Sequence, residues 1–116
     1  MVVSITIWHN PRCSKSRETL ALLQDRGDQP AVRKYLDDTP SIEELRLTRD
    51  TLGLRAIEMM RIKEKRFGEL GLTKDDDDET LLAAMAQNPV LIERPIVFAN
   101  GKAAIGRPPE RVLDIL

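Results

Sequence analysis

The first 36 residues change their hydrophobic period twice, and this change constrains the fold more than any other feature of the chain. Apolar and polar residues alternate over residues 2–8, which is the two-residue period of a β-strand. Apolar residues then recur at helical spacing over residues 14–26, and Gly27 ends that segment. Residues 31–36 (AVRKYL) are typical of a second strand. A strand, a helix and a strand with such short connections predict two parallel strands crossed by a helix.

The middle of the chain is predicted to be helical. Ser41 and Glu44 form the pattern of a capping box, and Gly53 is a natural stop, so a helix is predicted between them. The acidic run over residues 75–79 favours the start of another helix, because carboxylates stabilise a helix N-terminus. The predicted helices of this part are 42–52, short ones with loose bounds within 54–70, and 80–87.

The last third returns to strand patterning. Residues 96–98 and 103–105 flank Asn100-Gly101, the residue pair best suited to a two-residue hairpin turn, and prolines at 108 and 109 open a final helix. We therefore predict an α/β fold with a small mixed sheet flanked by helices: a βαβ unit, a helical insert over about residues 40–88, and a ββα unit. A chain of 116 residues suffices for one domain, residues 1–116, and is too short for two.

Composition narrows the possible classes of protein. The formal net charge is −1, so no global field attracts the protein to nucleic acid or to a membrane surface. No stretch approaches the ~20 apolar residues of a membrane span. A single cysteine cannot form an internal disulfide, which favours a reducing compartment. The prediction is a cytoplasmic protein with no membrane partner and no nucleic-acid partner.

The stretch HNPRCSKSR, residues 9–17, holds the only cysteine and the only histidine of the chain. Cys13 falls at the start of the predicted helix, where backbone N–H groups lack partners and the helix dipole is positive, and both favour a thiolate. Arg12, Lys15 and Arg17 would favour it further if any of them folded inward. Cysteine is also common as a small buried hydrophobe. A polar, basic loop with a proline is a poor place to bury an inert thiol, so a reactive thiol is the favoured interpretation.

Spacing excludes several cysteine chemistries. Position 16 is serine, so the second thiol of a dithiol redox motif is missing, and Thr19 stands where a tyrosine-phosphatase loop needs arginine. Zinc requires more sulfur or imidazole than the chain has, and the acidic run lacks ordered ligand spacing, so we predict no metal site. What remains is a one-thiol nucleophile whose adduct is resolved by a thiol from outside. His9 is either a structural imidazole or has an electrostatic or proton-transfer role.

Four short motifs in a fixed order resemble those of a known family. They are HNPRCSKSR after the first strand, MMRIKE in the helical insert, LIERPIVF before the hairpin and IGRPPE before the last helix. Together they are similar to the motifs of the glutaredoxin-coupled, ArsC-type arsenate reductases, and the similarity runs from about residue 3 to the C-terminus. Each motif alone is weak, whereas four in order at matching separations are specific. The resemblance implies a thioredoxin-like fold with a helical insertion.

The resemblance also implies roles for individual residues. The family's nucleophile falls on Cys13, the histidine near it corresponds to His9, and Pro95 falls on the cis-proline of thioredoxin-like folds. The oxyanion-binding arginines fall on three positions: Arg61, Arg94 and Arg107. Guanidinium forks match the oxygens of a doubly charged tetrahedral anion two at a time, so three arginines from separate segments could enclose arsenate.

The activity that the resemblance implies is reduction of arsenate to arsenite through a covalent adduct on Cys13. It implies glutathione as co-substrate, glutaredoxin as the partner that resolves the mixed disulfide, and no bound cofactor. Two other functions remain open. One is a redox-responsive regulatory protein of the same fold that binds RNA polymerase, although that branch usually carries C-x-x-C. The other is a general glutathione-dependent thiol oxidoreductase, which would need no cage of arginines.

Overall fold

Four strands form one mixed sheet in the computed structural model of the chain, which describes residues 4–116. The strands are β1 (Ile5–Trp8), β2 (Ala31–Arg33), β3 (Ile96–Ala99) and β4 (Lys102–Ile105). Their spatial order is β2-β1-β3-β4; β1 and β2 are parallel, and the other two pairs are antiparallel. The predicted parallel pair and small mixed sheet are confirmed. Residues 2 and 3 of the predicted first strand lie outside the described residues.

The chain divides into two compact units, and the first comprises the chain up to Asp38 together with Arg94–Leu116. Helix α1 (Ser14–Asp25) and the C-terminal 3₁₀ helix Pro109–Ile115 pack with the sheet in this unit. Its buried core is aliphatic and contains Ile5, Ile7, Leu23, Val97, Ala99, Val112 and Ile115. Full burial of a Val, Leu or Ile side chain stabilises a fold by roughly 1.5–3 kcal/mol. This core fixes β1 and α1, which carry the two ends of the cysteine loop.

Strand β2 is shorter than the sequence predicts, because residues 34–36 are not part of it. The chain turns at Lys34, whose carbonyl oxygen accepts hydrogen bonds from the N–H groups of Asp37 (3.0 Å) and Asp38 (2.9 Å). Tyr35 leaves the strand and its side chain is fully buried. An edge strand has only one hydrogen-bonded neighbour, so burial of a large aromatic ring can outweigh a longer ladder.

The predicted hairpin between β3 and β4 is confirmed. Asn100 and Gly101 have φ of 56° and 73°, the left-handed conformation that a two-residue turn of this type requires. Asn100 Nδ2 also donates to the carbonyl oxygen of Ile115 at 2.8 Å, which ties the turn to the last helix. That last helix is of the 3₁₀ type.

The second unit, Thr39–Glu93, contains the helices of the insert. They are α2 (Ile42–Leu52), α3 (Lys65–Glu69), α4 (Asp78–Gln87) and the 3₁₀ helices Ala56–Met59 and Pro89–Leu91. The predicted bounds of α2 are confirmed: Ser41 and Glu44 form a reciprocal capping box, and Gly53 ends the helix at φ 68°. Within residues 4–116, none of the helices is both long and apolar enough to cross a lipid bilayer.

Helix α4 begins at Asp78, two residues earlier than predicted. Asp77 is its N-cap, and Oδ1 of Asp77 accepts a hydrogen bond from the N–H of Thr80 at 2.8 Å. Glu79 accepts paired hydrogen bonds from Arg46 of α2, the shortest at 2.8 Å. The acidic run therefore caps α4 and joins it to α2. In a run of four aspartates, the sequence alone does not reveal which one becomes the cap.

Candidate active site

The loop between β1 and α1 places Cys13 at the N-cap position of α1. Asn10 organises this loop, because its carbonyl oxygen accepts a hydrogen bond from the N–H of Cys13 (3.0 Å) and its Oδ1 accepts one from the N–H of Arg12 (3.0 Å). Cys13 has extended backbone, with φ −95° and ψ 124°. The backbone N–H groups of Lys15 and Ser16, in the first turn of α1, are close enough to its sulfur to lower the pKa of the thiol, although neither makes a capping hydrogen bond to it.

The pKa of the Cys13 thiol lies below its ordinary value. Burial raises this pKa, and four favourable interactions outweigh the burial: the N–H of Ser16, a hydrogen bond from the Arg94 side chain, the positive charge of Arg94, and the N–H of Lys15. Cys13 is only 9% exposed, so the expectation that this loop does not bury the thiol is wrong. The loop buries the sulfur among N–H donors, which suit a thiolate.

Arg94 and Arg107 meet at the sulfur of Cys13. Nη2 of Arg107 lies 3.5 Å from Sγ of Cys13, and Nε of Arg107 donates to the carbonyl oxygen of Arg94 at 2.8 Å. The Arg94–Pro95 peptide bond is cis, and so is the Arg107–Pro108 bond, which the sequence analysis did not anticipate. Two arginines from sequence segments far from Cys13 thus have their guanidinium groups at the thiol.

Gly106 lies at a close contact behind these arginines. Its N–H donates to the carbonyl oxygen of Pro95 at 2.9 Å. A Cβ atom at position 106 would lie 2.6 Å from Oγ1 of Thr19 in α1 and 2.8 Å from Cγ of Pro95. A glycine is therefore required for helix α1 and the two arginine segments to approach one another. Neither Gly106 nor the packing role of Thr19 was predicted from the sequence; the available signal was a glycine that belongs to no turn.

The three basic side chains beside Cys13 do not fold onto the thiol. Arg12, Lys15 and Arg17 are all exposed. Nζ of Lys15 is 3.5 Å from Glu18, and Nη1 of Arg17 donates to the carbonyl oxygen of Pro11 at 3.0 Å. Helix α1 contributes to the lowered pKa of the thiol through its backbone N–H groups, and the positive side chain that lowers it is Arg94.

His9 is buried and contacts Ser16 of α1. Its Nδ1 lies 2.6 Å from Oγ of Ser16, and that oxygen accepts a hydrogen bond from the N–H of Asn10 at 3.0 Å. Burial, then the positive charges of Lys34 and Arg17, lower the pKa of His9 and favour the neutral ring. Within residues 4–116, no group of three or more His, Cys, Asp or Glu side chains is arranged to hold a metal ion.

Arg61 belongs to the second unit, where two carboxylates hold its guanidinium. Nε of Arg61 donates to Glu64 at 3.0 Å, and Nη1 donates to Glu93 at 3.0 Å. Burial lowers the pKa of Arg61, but the hydrogen bond to Glu64 and the negative charge of Glu93 raise it above its ordinary value. The backbone N–H of Arg61 also donates to the carbonyl oxygen of Leu91 at 2.8 Å. Neither carboxylate was predicted from the sequence: Glu64 stands three positions after Arg61, a common spacing on any helical surface, and Glu93 is 32 residues away.

Comparison with known proteins gives one family over nearly the whole chain. The model of the ArsC family matches residues 8–115. A protein of Neisseria meningitidis serogroup A named arsenate reductase is 51% identical over 114 residues, which cover 97% of each chain. YfgD of Escherichia coli strain K12 is 51% identical over 118 residues, covering all of this chain and 99% of that one.

Solved structures agree with this family and with the thioredoxin-like fold. An arsenate reductase from Vibrio cholerae superposes with a TM-score of 0.96 at 54% identity, and each chain covers the other completely. A protein described as YffB superposes with a TM-score of 0.84 at 17% identity, which supports the fold alone. The predicted fold class, a thioredoxin-like mixed sheet flanked by helices with a helical insertion, is therefore confirmed.

Proposed function

The chain belongs to the ArsC family, and we propose that it is an arsenate reductase in which Cys13 is the nucleophile. The observation that carries the proposal is the Cys13 thiol, which has a lowered pKa and lies between the side chains of Arg94 and Arg107. Thiolate is the reactive form of cysteine, and the lowered pKa gives Cys13 a larger thiolate fraction than an ordinary cysteine has at the same pH. The Neisseria and Vibrio relatives named arsenate reductase support arsenate as the substrate.

The proposed oxyanion ligands are three arginines: Arg61, Arg94 and Arg107. Guanidinium groups recognise tetrahedral oxyanions through paired N–H donors and offset charge as an anionic thiolate attacks an anion. Arg94 and Arg107 support this role because both already direct donors at Cys13 Sγ. Arg61 is proposed on the resemblance of its motif, and Glu64 and Glu93 would orient its guanidinium.

The proposed reaction uses thiols as its only source of electrons. The Cys13 thiolate attacks arsenic, an S–As bond forms, and one arsenate oxygen takes up protons and leaves as water. A glutathione thiolate then attacks Cys13 Sγ, and the electron pair of the S–As bond passes to arsenic, which leaves as arsenite. A glutaredoxin thiolate attacks the glutathione sulfur of the resulting mixed disulfide and releases the Cys13 thiolate. Two thiols are oxidised for each arsenate reduced, so no bound cofactor is needed.

A coupled assay tests this function. NADPH consumption is followed with glutathione, glutathione reductase and glutaredoxin, with arsenate present or omitted, for the wild type and for Cys13→Ser. We expect consumption that depends on arsenate in the wild type and none above background in Cys13→Ser, because serine cannot accept the redox role. Circular dichroism serves as the control that the variant is folded.

The same assay separates the proposal from the alternatives. Turnover of a mixed disulfide of glutathione at equal rate with and without arsenate would indicate a general thiol oxidoreductase. Absence of arsenate-dependent turnover with several glutaredoxins would contradict the proposed function. A protein that acts only as a regulator would show neither activity.

A further inference from the structure

Exposed basic residues flank Cys13 in the sequence and have no part in the site described above. Arg12 directly precedes Cys13, so their Cα atoms are about 3.8 Å apart. Lys15 follows two residues later, and its side chain is 47% exposed. Its partner Glu18 is 54% exposed and 3.5 Å away, and such exposed pairs contribute little energy. Both cations are therefore exposed to solvent on the two sides of Cys13 in the chain.

Two further cations extend this surface. Arg17 is fixed by its hydrogen bond to the carbonyl oxygen of Pro11. Lys34 follows Arg33, whose carbonyl oxygen accepts a hydrogen bond from the N–H of His9 at 2.8 Å, so Lys34 also lies close to the loop that carries Cys13. We name these four exposed residues the basic rim: Arg12, Lys15, Arg17 and Lys34. Within residues 4–116, one carboxylate, that of Glu18, pairs with the rim, which leaves a surplus of three positive charges.

The net charge of the chain is −1, so the positive surplus of the rim is a local feature. Clustered charge at the mouth of a site raises the encounter rate of oppositely charged reactants by roughly ten- to a thousandfold, and salt screens the effect. The thiol itself does not need the rim, because backbone N–H groups and Arg94 already lower its pKa. The rim is therefore suited to a second reactant that approaches Cys13 from outside.

We propose that the basic rim recruits a small thiol that carries carboxylates, which attacks the Cys13 adduct. The proposal rests on the proposed function in one respect, that Cys13 forms an adduct which an external thiol resolves. Cys13 is 9% exposed, which favours a slender reductant whose sulfur enters while its carboxylates stay on the rim. Arg12 and Lys15 flank Cys13 in the sequence, so they are the residues that an approaching reductant would contact first.

The proposal is tested on a mixed disulfide that needs no arsenate. Neutral 4,4′-dithiodipyridine reacts with Cys13 to give Cys13–S–S–pyridine and releases one thiopyridone. An added thiolate then attacks Cys13 Sγ, forms a new disulfide, and expels the second thiopyridone with the electron pair of the broken S–S bond. Its absorbance gives the rate for three thiols of different charge: glutathione (negative), 2-mercaptoethanol (neutral) and cysteamine (positive).

The proteins compared are the wild type, the double variant Arg12→Gln/Lys15→Gln, and Lys102→Gln as matched control. Lys102 is exposed, and it lies at the end of the sheet opposite to the Cys13 loop. It pairs with Ala99, and Ala99 pairs with Ile5 at the start of β1, whereas the Cys13 loop follows Trp8 at the end of β1. Three residues of strand, about 10 Å, separate these two ends. Rates are measured at low and at high salt, each relative to the same thiol reacting with a small-molecule mixed disulfide of pyridine.

We expect the double variant to slow glutathione at least about fivefold at low salt, to leave 2-mercaptoethanol within about twofold, and to speed cysteamine. High salt should reduce the wild-type rate with glutathione towards that of the variant. Lys102→Gln should match the wild type with all three thiols. An unchanged preference for glutathione in the double variant would overturn the proposal, as would an equal slowing of all three thiols. Neither result depends on arsenate, so this test and the coupled assay can fail independently.

Discussion

Arg107 uses two nitrogen donors within the site, Nη2 on Cys13 Sγ at 3.5 Å and Nε on the carbonyl oxygen of Arg94 at 2.8 Å. Lysine keeps the positive charge but has a single nitrogen and cannot make both contacts. A hydrogen bond to a charged group contributes about 1.5–3 kcal/mol, or roughly ten- to a hundredfold in an equilibrium constant. We expect Arg107→Lys and Arg94→Lys each to lower kcat/KM for arsenate at least about tenfold, measured from initial rates.

Melting temperature and a third variant control this prediction. Arg111 is exposed in the C-terminal 3₁₀ helix of the same unit, so Arg111→Lys should leave both kcat/KM and melting temperature unchanged. Arg94 and Arg107 are partly buried, and their lysine variants should melt close to the wild type if their role is in the site. Wild-type kinetics in both variants would mean that the site requires only positive potential, and that paired N–H donors are not used.

At the scale of elements, Gly106 is where α1 meets the chain segments that carry Arg94 and Arg107. Thr19 and Pro95 would lie within 3 Å of a Cβ atom at this position, so Gly106→Ala forces α1 or the arginine segments to move. Overpacking of this kind costs about 1–3 kcal/mol. We expect Gly106→Ala to raise the Cys13 pKa towards its ordinary value, measured as the pH profile of alkylation with iodoacetamide.

Two further variants identify the cause. Thr19→Ala removes the nearer of the two atoms, so the double variant Gly106→Ala/Thr19→Ala should recover part of the shift. Gly68 lies in α3 with no atom within 4 Å of its Cβ position, so Gly68→Ala should leave the alkylation profile unchanged. A wild-type profile in Gly106→Ala would show that this contact does not position the thiol, whatever the loss of stability.

The elements that the sequence predicted well are those that local interactions determine. Helix α2 is bounded by a capping box and a left-handed glycine within one stretch of 13 residues, 41–53, and the β3–β4 turn depends on two adjacent residues. The errors occur where tertiary burial decides the end of an element, or where several equivalent residues could cap it. Strand β2 stops early because Tyr35 is buried, and α4 starts early because Asp77, among several aspartates, caps it. Hydrophobic pattern and secondary-structure propensity do not reveal that Tyr35 is buried or which aspartate becomes the cap.

At the scale of the whole molecule, the motifs located the candidate site better than spacing alone could. Cys13 stands out because it is unique, but no periodicity relates it to Arg107, 94 residues away along the chain. That pairing came from the family resemblance. The carboxylates on Arg61 show the limit of this approach, because Glu93 lies within the motif LIERPIVF but received no role from the resemblance, and its contact with Arg61 spans 32 residues.

The stability of the molecule should depend on pH through two groups of the first unit, His9 and Cys13, whose pKa values are both lowered by folding. In each case the unfolded chain binds more protons between the folded pKa and the unfolded one, so the free energy of unfolding rises with pH across that interval. For His9 the interval ends at its unfolded value of about 6.5, so stability is lost as pH falls below that value. For Cys13 it ends at about 8.5, so stability is gained as pH rises towards that value.

Urea unfolding between pH 5 and 9 in a reducing buffer measures both intervals. We expect the wild type to gain stability relative to Cys13→Ser as pH rises from the folded Cys13 pKa to about 8.5, with a constant difference above it, because serine does not ionise in this range. His9→Asn should lose the fall on the acid side while keeping the alkaline rise. The backbone N–H groups and Arg94 stabilise the thiolate in the folded state, and this stabilisation is the source of the alkaline gain. If the free energy of unfolding varied with pH in parallel for the wild type and Cys13→Ser, folding would not stabilise the thiolate. The proposed chemistry, which depends on an activated nucleophile, would then be wrong.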